Sequence, residues 1–202
     1  MGRFTIFLDG GFVKKKLEAK LGRFPTVGDV TGLCAAIQGR ERLRDLDLLR
    51  IYYYDCPPYE GQATHPLSGK QINYSLTTQA RQNKALIDSL EMEPDFAVRR
   101  GELLLSGWKL GRNALKNIAK KQKVAHRDLV PDISQKGVDI RIGLDIASVA
   151  LKRVAGVLVL VTGDSDFVPA MKLARKEGMK VYLDPMGHGI RRELRAHADF
   201  VF

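Results

Sequence analysis

The apolar positions of this 202-residue chain fall into short solid runs separated by stretches of helical spacing. Val157 to Val161 (VLVLV) and Arg3 to Leu8 (RFTIFL) are the clearest runs. Each is too short for a helix, rich in β-branched or aromatic residues, and without polar alternation, which predicts strands covered on both faces, as in a parallel sheet. Leu48 to Asp55 predicts another strand, stopped by Pro57 and Pro58, and Val181 to Leu183 and Asp199 to Phe202 predict the last ones. Helical periods run over Phe12 to Leu21, Val27 to Gln38 with Thr26 as its cap, Tyr74 to Met92, Gln135 to Leu151, Val168 to Lys176 and Gly189 to His197. Pro58 to Gly69 reads as a polar loop, and Phe96 to Leu105 as extended chain with a hairpin near Arg100-Gly101. Strand alternating with helix predicts an α/β fold, a mainly parallel sheet between two helical layers.

Two of the predicted strands end in acids. VLVLV breaks into Gly163, Asp164 and Asp166, and the first strand ends in Asp9-Gly10-Gly11. Ligands of open α/β sheets gather outside the carboxyl ends of the strands, so three carboxylates converge where chemistry is usually done. The helix that precedes the Val157 strand runs antiparallel to it and therefore begins at that same edge, bringing Asp139. Asp145 lies about 9 Å farther along the helix axis, so one ion should not take both; whether it ligates or pairs elsewhere stays open. Clustered carboxylates repel each other and require a proton, a base or a cation among them. An all-oxygen donor set suits Mg²⁺ or Mn²⁺, which points to phosphoryl chemistry. Lys136, three residues before Asp139, either neutralises a phosphate or is simply solvated, with proximity to Asp139 favouring the former, and Ser165 either caps the helix that follows or reaches the same phosphate.

FLDGG, KGVDIRIGLD and TGDSDF in this order resemble the three signature blocks of the NYN domain family, the LabA-like branch of the PIN-like nucleases. The resemblance runs from about Arg3 to Phe202. It implies a PIN-like three-layer α/β/α sandwich, a single domain over residues 1–202, and a Mg²⁺- or Mn²⁺-dependent nuclease acting on RNA to leave 5′-phosphate and 3′-hydroxyl ends. The family's acidic positions fall on Asp9, Asp139, Asp145, Asp164 and Asp166 as metal ligands, with Asp9, Asp139, Asp164 and Asp166 as the catalytic set. Many members carry Asn three residues after the first acid, where this chain has Phe12.

A formal net charge of +10 and a pI near 9.7 suit a polyanionic partner. The charge is unevenly spread: no acid lies between Glu102 and Asp128, a stretch that holds seven bases. Arg112, Lys116, Lys120, Lys123 and Arg127 are spaced as one stripe of a helix and predict a track for an RNA backbone. RNA is the expected partner, with DNA and self-association into a homo-oligomer left open. No apolar run approaches the ~20 residues that cross a bilayer, and no export signal opens the chain, so a cytoplasmic protein without a membrane partner is expected. Cys34 and Cys56 lack metal-ligand spacing and read as free thiols. Two rival readings come from other classes. One is a non-catalytic RNA-binding or regulatory protein that keeps the fold. The other is a phosphatase with Asp9 as nucleophile, which the haloacid-dehalogenase pattern disfavours because Gly11 stands where its second acid belongs.

Overall fold

The computed structural model describes residues 2–121 and 123–202, without the side chains of Lys120 and Lys121. In chain order the elements are β1 (Gly2–Asp9), α1 (Gly10–Leu21), α2 (Val27–Gln38), β2 (Leu46–Asp55), β3 (Gln62–Thr64), β4 (Gln71–Asn73), α3 (Thr78–Met92), β5 (Phe96–Arg100) and β6 (Glu102–Leu110). They continue with α4 (Ala114–Lys121), β7 (Leu129–Lys136), α5 (Val138–Leu151), β8 (Val157–Val161), α6 (Val168–Lys176), β9 (Lys180–Asp184), α7 (Arg192–Ala196) and β10 (Phe200–Val201).

Six strands form one sheet in the order β10-β9-β8-β1-β2-β5, every neighbouring pair parallel. Alternate residues of the central strands feed two cores. Phe4, Ile6 and Leu8 of β1 and Val157, Val159 and Val161 of β8 pack with Val13, Cys34 and Ile87 from α1, α2 and α3. Phe7, Leu158 and Leu160 pack on the other side with Ile142, Met171 and Leu194 from α5, α6 and α7. This double burial is why the strand sequences read as unbroken apolar runs. Tyr53 and Tyr54 of β2 divide between the same two cores. Cys34 and Cys56 are free and buried, and burial pushes the Cys34 thiol up to about 12. Among the described residues no helix is long and apolar enough to cross a membrane.

Several segments differ from the sequence reading: the helix expected over Gly189 to His197 is confined to Arg192–Ala196, and Gln135 and Lys136 end β7 and do not open α5. The Pro58 to Gly69 loop contains half of a small hairpin, β3 with β4. Phe96 to Leu105 is not a hairpin: β5 joins the sheet, and β6 turns away to pair with β7 in a separate antiparallel ribbon. The basic stripe is not one helix either, since α4 covers Ala114–Lys121 and leaves Arg112, Lys123 and Arg127 outside it. Asp128 is the cause. It is almost fully buried and accepts from Asn117 Nδ2 at 2.9 Å and from the Ala125 N–H at 2.8 Å, while its own carbonyl accepts from the Gly111 N–H at 2.8 Å. The chain is thus folded back after α4 into a compact arm. Arg112, Lys116, Lys123 and Arg127 are exposed on that arm, and the side chain of Lys120 lies outside the described residues. His65 ties the β3–β4 hairpin to the arm. Its Nδ1 accepts from the Leu67 and Ser68 N–H groups, so Nε2 carries the proton and donates to the His126 carbonyl at 2.9 Å.

Candidate active site

The carboxyl edge of the sheet carries the acids. Asp9 closes β1 and caps α1, its Oδ1 accepting the Phe12 N–H at 3.1 Å. Helix α1 can start immediately because Gly10 has no side chain: a Cβ there would stand 2.6 Å from the Tyr54 carbonyl oxygen and 2.8 Å from the Tyr53 ring. On the neighbouring strand, buried Thr162 follows β8 and donates its hydroxyl to Asp9 Oδ2 at 3.0 Å, while accepting the Asp164 N–H at 3.2 Å. Asp164 in turn caps a short turn, Ser165–Phe167, by accepting the Asp166 N–H at 2.9 Å. One hydrogen-bonded chain therefore ties the Asp9 carboxylate at the end of β1 to the Asp164 backbone just past the neighbouring β8. Ser165 is not the cap, because Asp164 holds that position one residue earlier; its hydroxyl accepts instead from Arg191 at 3.4 Å.

Asp139 enters from the first turn of α5. Burial pushes its carboxyl above the ordinary carboxylate value, and the charges of Asp164 and Asp166 push the same way. Asp9 is raised as well, chiefly by burial and further by Asp139 and Asp164, against the hydrogen bonds from Phe12 and Thr162. These four carboxylates thus share one electrostatic neighbourhood, and among the described residues none of them forms an ion pair with a base. Asp145 is not part of it. It faces β2 and β5, accepting from the Tyr54 hydroxyl at 2.9 Å and from Arg99 Nε at 3.1 Å, and its side chain is 29% exposed. The six residues that separate it from Asp139 turn it away from the edge, and a cation already occupies it.

A cleft of about 650 Å³ opens over Asp9, Asp164 and Asp166. Phe12 lines it, with its ring 6.1 Å from that of His188. The two rings close over Gly163, where a Cβ would lie 2.8 Å from Phe12 and 3.0 Å from His188. Lys15 of α1 and Arg191 before α7 stand at the rim. Nothing in the order of residues singles out Lys15, whereas His188 and Arg191 belong to the basic C-terminal run His188 to His197, which reads from sequence equally as an extension of the RNA surface or as a solvated face. Asp55, which also ends a strand, is drawn into an ion pair with Lys14 at 2.6 Å. Lys136 is exposed at the last position of β7, paired across the ribbon with Glu102.

Among the described residues no three acid, imidazole or thiol groups converge into a ready metal cage. The donor set is nonetheless all oxygen and its members repel one another, so it fits a hard divalent cation in chemistry, with the ion itself drawing the acids together.

Residues 68–202 match the family model of the NYN domain. Asp139, Asp164 and Asp166 lie inside the match, and Asp9 joins them from outside it through the pairing of β1 with β8. No curated protein matches the sequence. Among solved structures, a protein of unknown function from Vibrio parahaemolyticus is similar with a TM-score of 0.52 and 16% identity, over 99% of this chain and 91% of that one. At that identity the likeness concerns the fold alone; the six-stranded parallel sheet between helical layers seen here, together with the NYN match, is consistent with a PIN-like fold.

Proposed function

The chain belongs to the NYN domain family, and from that premise we propose that it is a metal-dependent ribonuclease of the LabA-like branch which hydrolyses phosphodiesters at the acid cleft. The observation that carries this reading is the convergence of Asp9, Asp139, Asp164 and Asp166 at one sheet edge, where they repel one another and, among the described residues, form no ion pair. Asp9, Asp139 and Asp164 would hold Mg²⁺ or Mn²⁺. A divalent ion there supplies charge neutralisation for the scissile phosphate and an activated water for the attack. Asp166 would either ligate the ion or orient the attacking water. Asp9 and Asp164 are preorganised for the task through Thr162, so little motion is needed at one side of the site. Lys15 and Arg191 at the rim attract the phosphates on either side of the scissile one. The arm formed by β6, β7 and α4 leaves the sheet beside the end of β5 and returns directly into α5. Its bases, Arg112, Lys116, Lys123 and Arg127, are thereby exposed on a projection rooted at the acid edge and suited to track a strand.

The reading is tested by incubating the purified protein with single-stranded and structured RNA in Mg²⁺, Mn²⁺ or EDTA. Cleavage only with the cation, leaving 5′-phosphate ends, is the expected result. RNA binding with no cleavage under any cation would instead assign the protein a binding or regulatory role on the same fold.

A further inference from the structure

A second cavity, of about 450 Å³, lies beside the acid cleft between α1, the start of α3, the loop after β2 and the β6–β7 ribbon. That size is in the range of small-ligand sites. Tyr59 and Tyr74 line it, their rings 5.6 Å apart and tilted by 67°. The Tyr74 hydroxyl is shielded from water and has no hydrogen-bond partner among the described residues, a deficit that the fold itself does not explain. Polar groups line the cavity as well. Lys14 joins Asp55 and Asn83 there, each at 2.6 Å, and Gln135 adds an amide.

The cavity and the cleft are contiguous. Gly11 and Lys15 border both, and a Cβ on Gly11 would lie 3.6 Å from Asp9 Oδ1 and 3.8 Å from Gln135 Oε1. A single glycine therefore separates a carboxylate of the acid edge from the wall of the tyrosine cavity. One nucleotide spans such a step, with its phosphate on one side and its base on the other.

We propose that this cavity receives one unstacked base of a single-stranded RNA whose backbone lies in the acid cleft, a proposal that rests on the nuclease reading of that cleft. Aromatic faces accept any base by stacking, and the Tyr74 hydroxyl and Gln135 amide add hydrogen bonds that select among base edges. Paired bases in a duplex cannot enter, so the cavity confers a preference for single strands.

The test is equilibrium binding, in EDTA, of labelled RNA hexamers in which a single abasic residue is moved along the strand. The wild type is expected to lose about tenfold in affinity when the abasic residue falls at one particular position, the scale of one stacked base. Tyr59→Ala should abolish that positional penalty, and Tyr74→Phe, which keeps the ring, should change which base is preferred there. Equal affinity for every abasic hexamer by the wild type overturns the proposal without recourse to any variant, as does an unchanged penalty in Tyr59→Ala. Because no cleavage is needed, the two readings fail separately. A positional penalty without cation-dependent cleavage leaves the base site standing and removes the nuclease. Cleavage with no penalty does the reverse.

Discussion

Replacing Lys14 by Met should cost more stability than any other single change near the site, although Lys14 holds no metal. Its Nζ lies 2.6 Å from Asp55 Oδ2, and the two side chains are only 17% and 4% exposed. The same ammonium donates to Asn83 Oδ1 at 2.6 Å. Removing one partner of a buried pair strands the other charge, at a cost of about 3–5 kcal/mol. Asp55 would keep the Cys56 N–H at 2.8 Å and the Tyr53 hydroxyl at 3.2 Å, which favours the lower end, about 3 kcal/mol. For a domain of this length that lowers the melting temperature by roughly 6–12 °C. Denaturant unfolding of Lys14→Met, Asp55→Asn and the double variant provides the check, with the double variant expected to recover more than half of the loss because the stranded charge has gone. A Lys14→Met variant within about 1 kcal/mol of the wild type, or a double variant no better than Lys14→Met, would refute the reasoning.

Three further outcomes are expected. Asp145→Ala should destabilise by about 1–3 kcal/mol, since it leaves the buried Tyr54 hydroxyl without its acceptor, yet leave RNA cleavage well below the melting temperature unchanged; a rate loss like that of an acid-edge variant would return Asp145 to the reacting set. Asp9 and Asp139 hold their protons more tightly folded than unfolded, so their contribution to stability is full at low pH and is lost as pH rises through their raised values. Mg²⁺ should shrink that loss in the wild type more than in Asp9→Asn, measured as unfolding free energy against pH, and profiles indifferent to Mg²⁺ in both proteins would argue against cation binding. Replacing Arg112, Lys116 and Lys123 by Ala should flatten the slope of log affinity against log salt by up to about 2 units, with turnover at saturating RNA little changed; an unchanged slope would mean the arm does not touch phosphate.

The elements that carry the acids were legible because their physics is local. A strand buried on both faces is mostly apolar, as β8 is throughout and β1 is from Phe4 to Leu8 but for Thr5, whose buried hydroxyl donates to the Arg50 carbonyl, so the acids that follow stand out against the run. The ribbon was not legible. Leu129–Lys136 contains Pro131, which argues against a strand, and its partner β6 lies across an intervening basic segment. The same segment has helical spacing among its bases, but spacing does not reveal that buried Asp128 closes the chain after a short α4. Asp139 and Asp145 occupy one motif and one helix, and only the position of Tyr54 and Arg99 tells them apart. His188 and Arg191 reach the cleft from the segment after β9, a juxtaposition set by strand order alone.

The proposed assignment of the reaction to the acids at the sheet edge makes them indispensable to cleavage. It is tested most directly by single-turnover cleavage of a labelled single-stranded RNA in Mn²⁺ by the wild type, Asp9→Asn and Asp164→Asn, with folding of each followed by circular dichroism. Folded variants with rates lower by about a thousandfold or more are expected, the scale of losing several kcal/mol of charge stabilisation in the transition state. Folded Asp9→Asn and Asp164→Asn proteins that cleave at the wild-type rate would contradict the assignment.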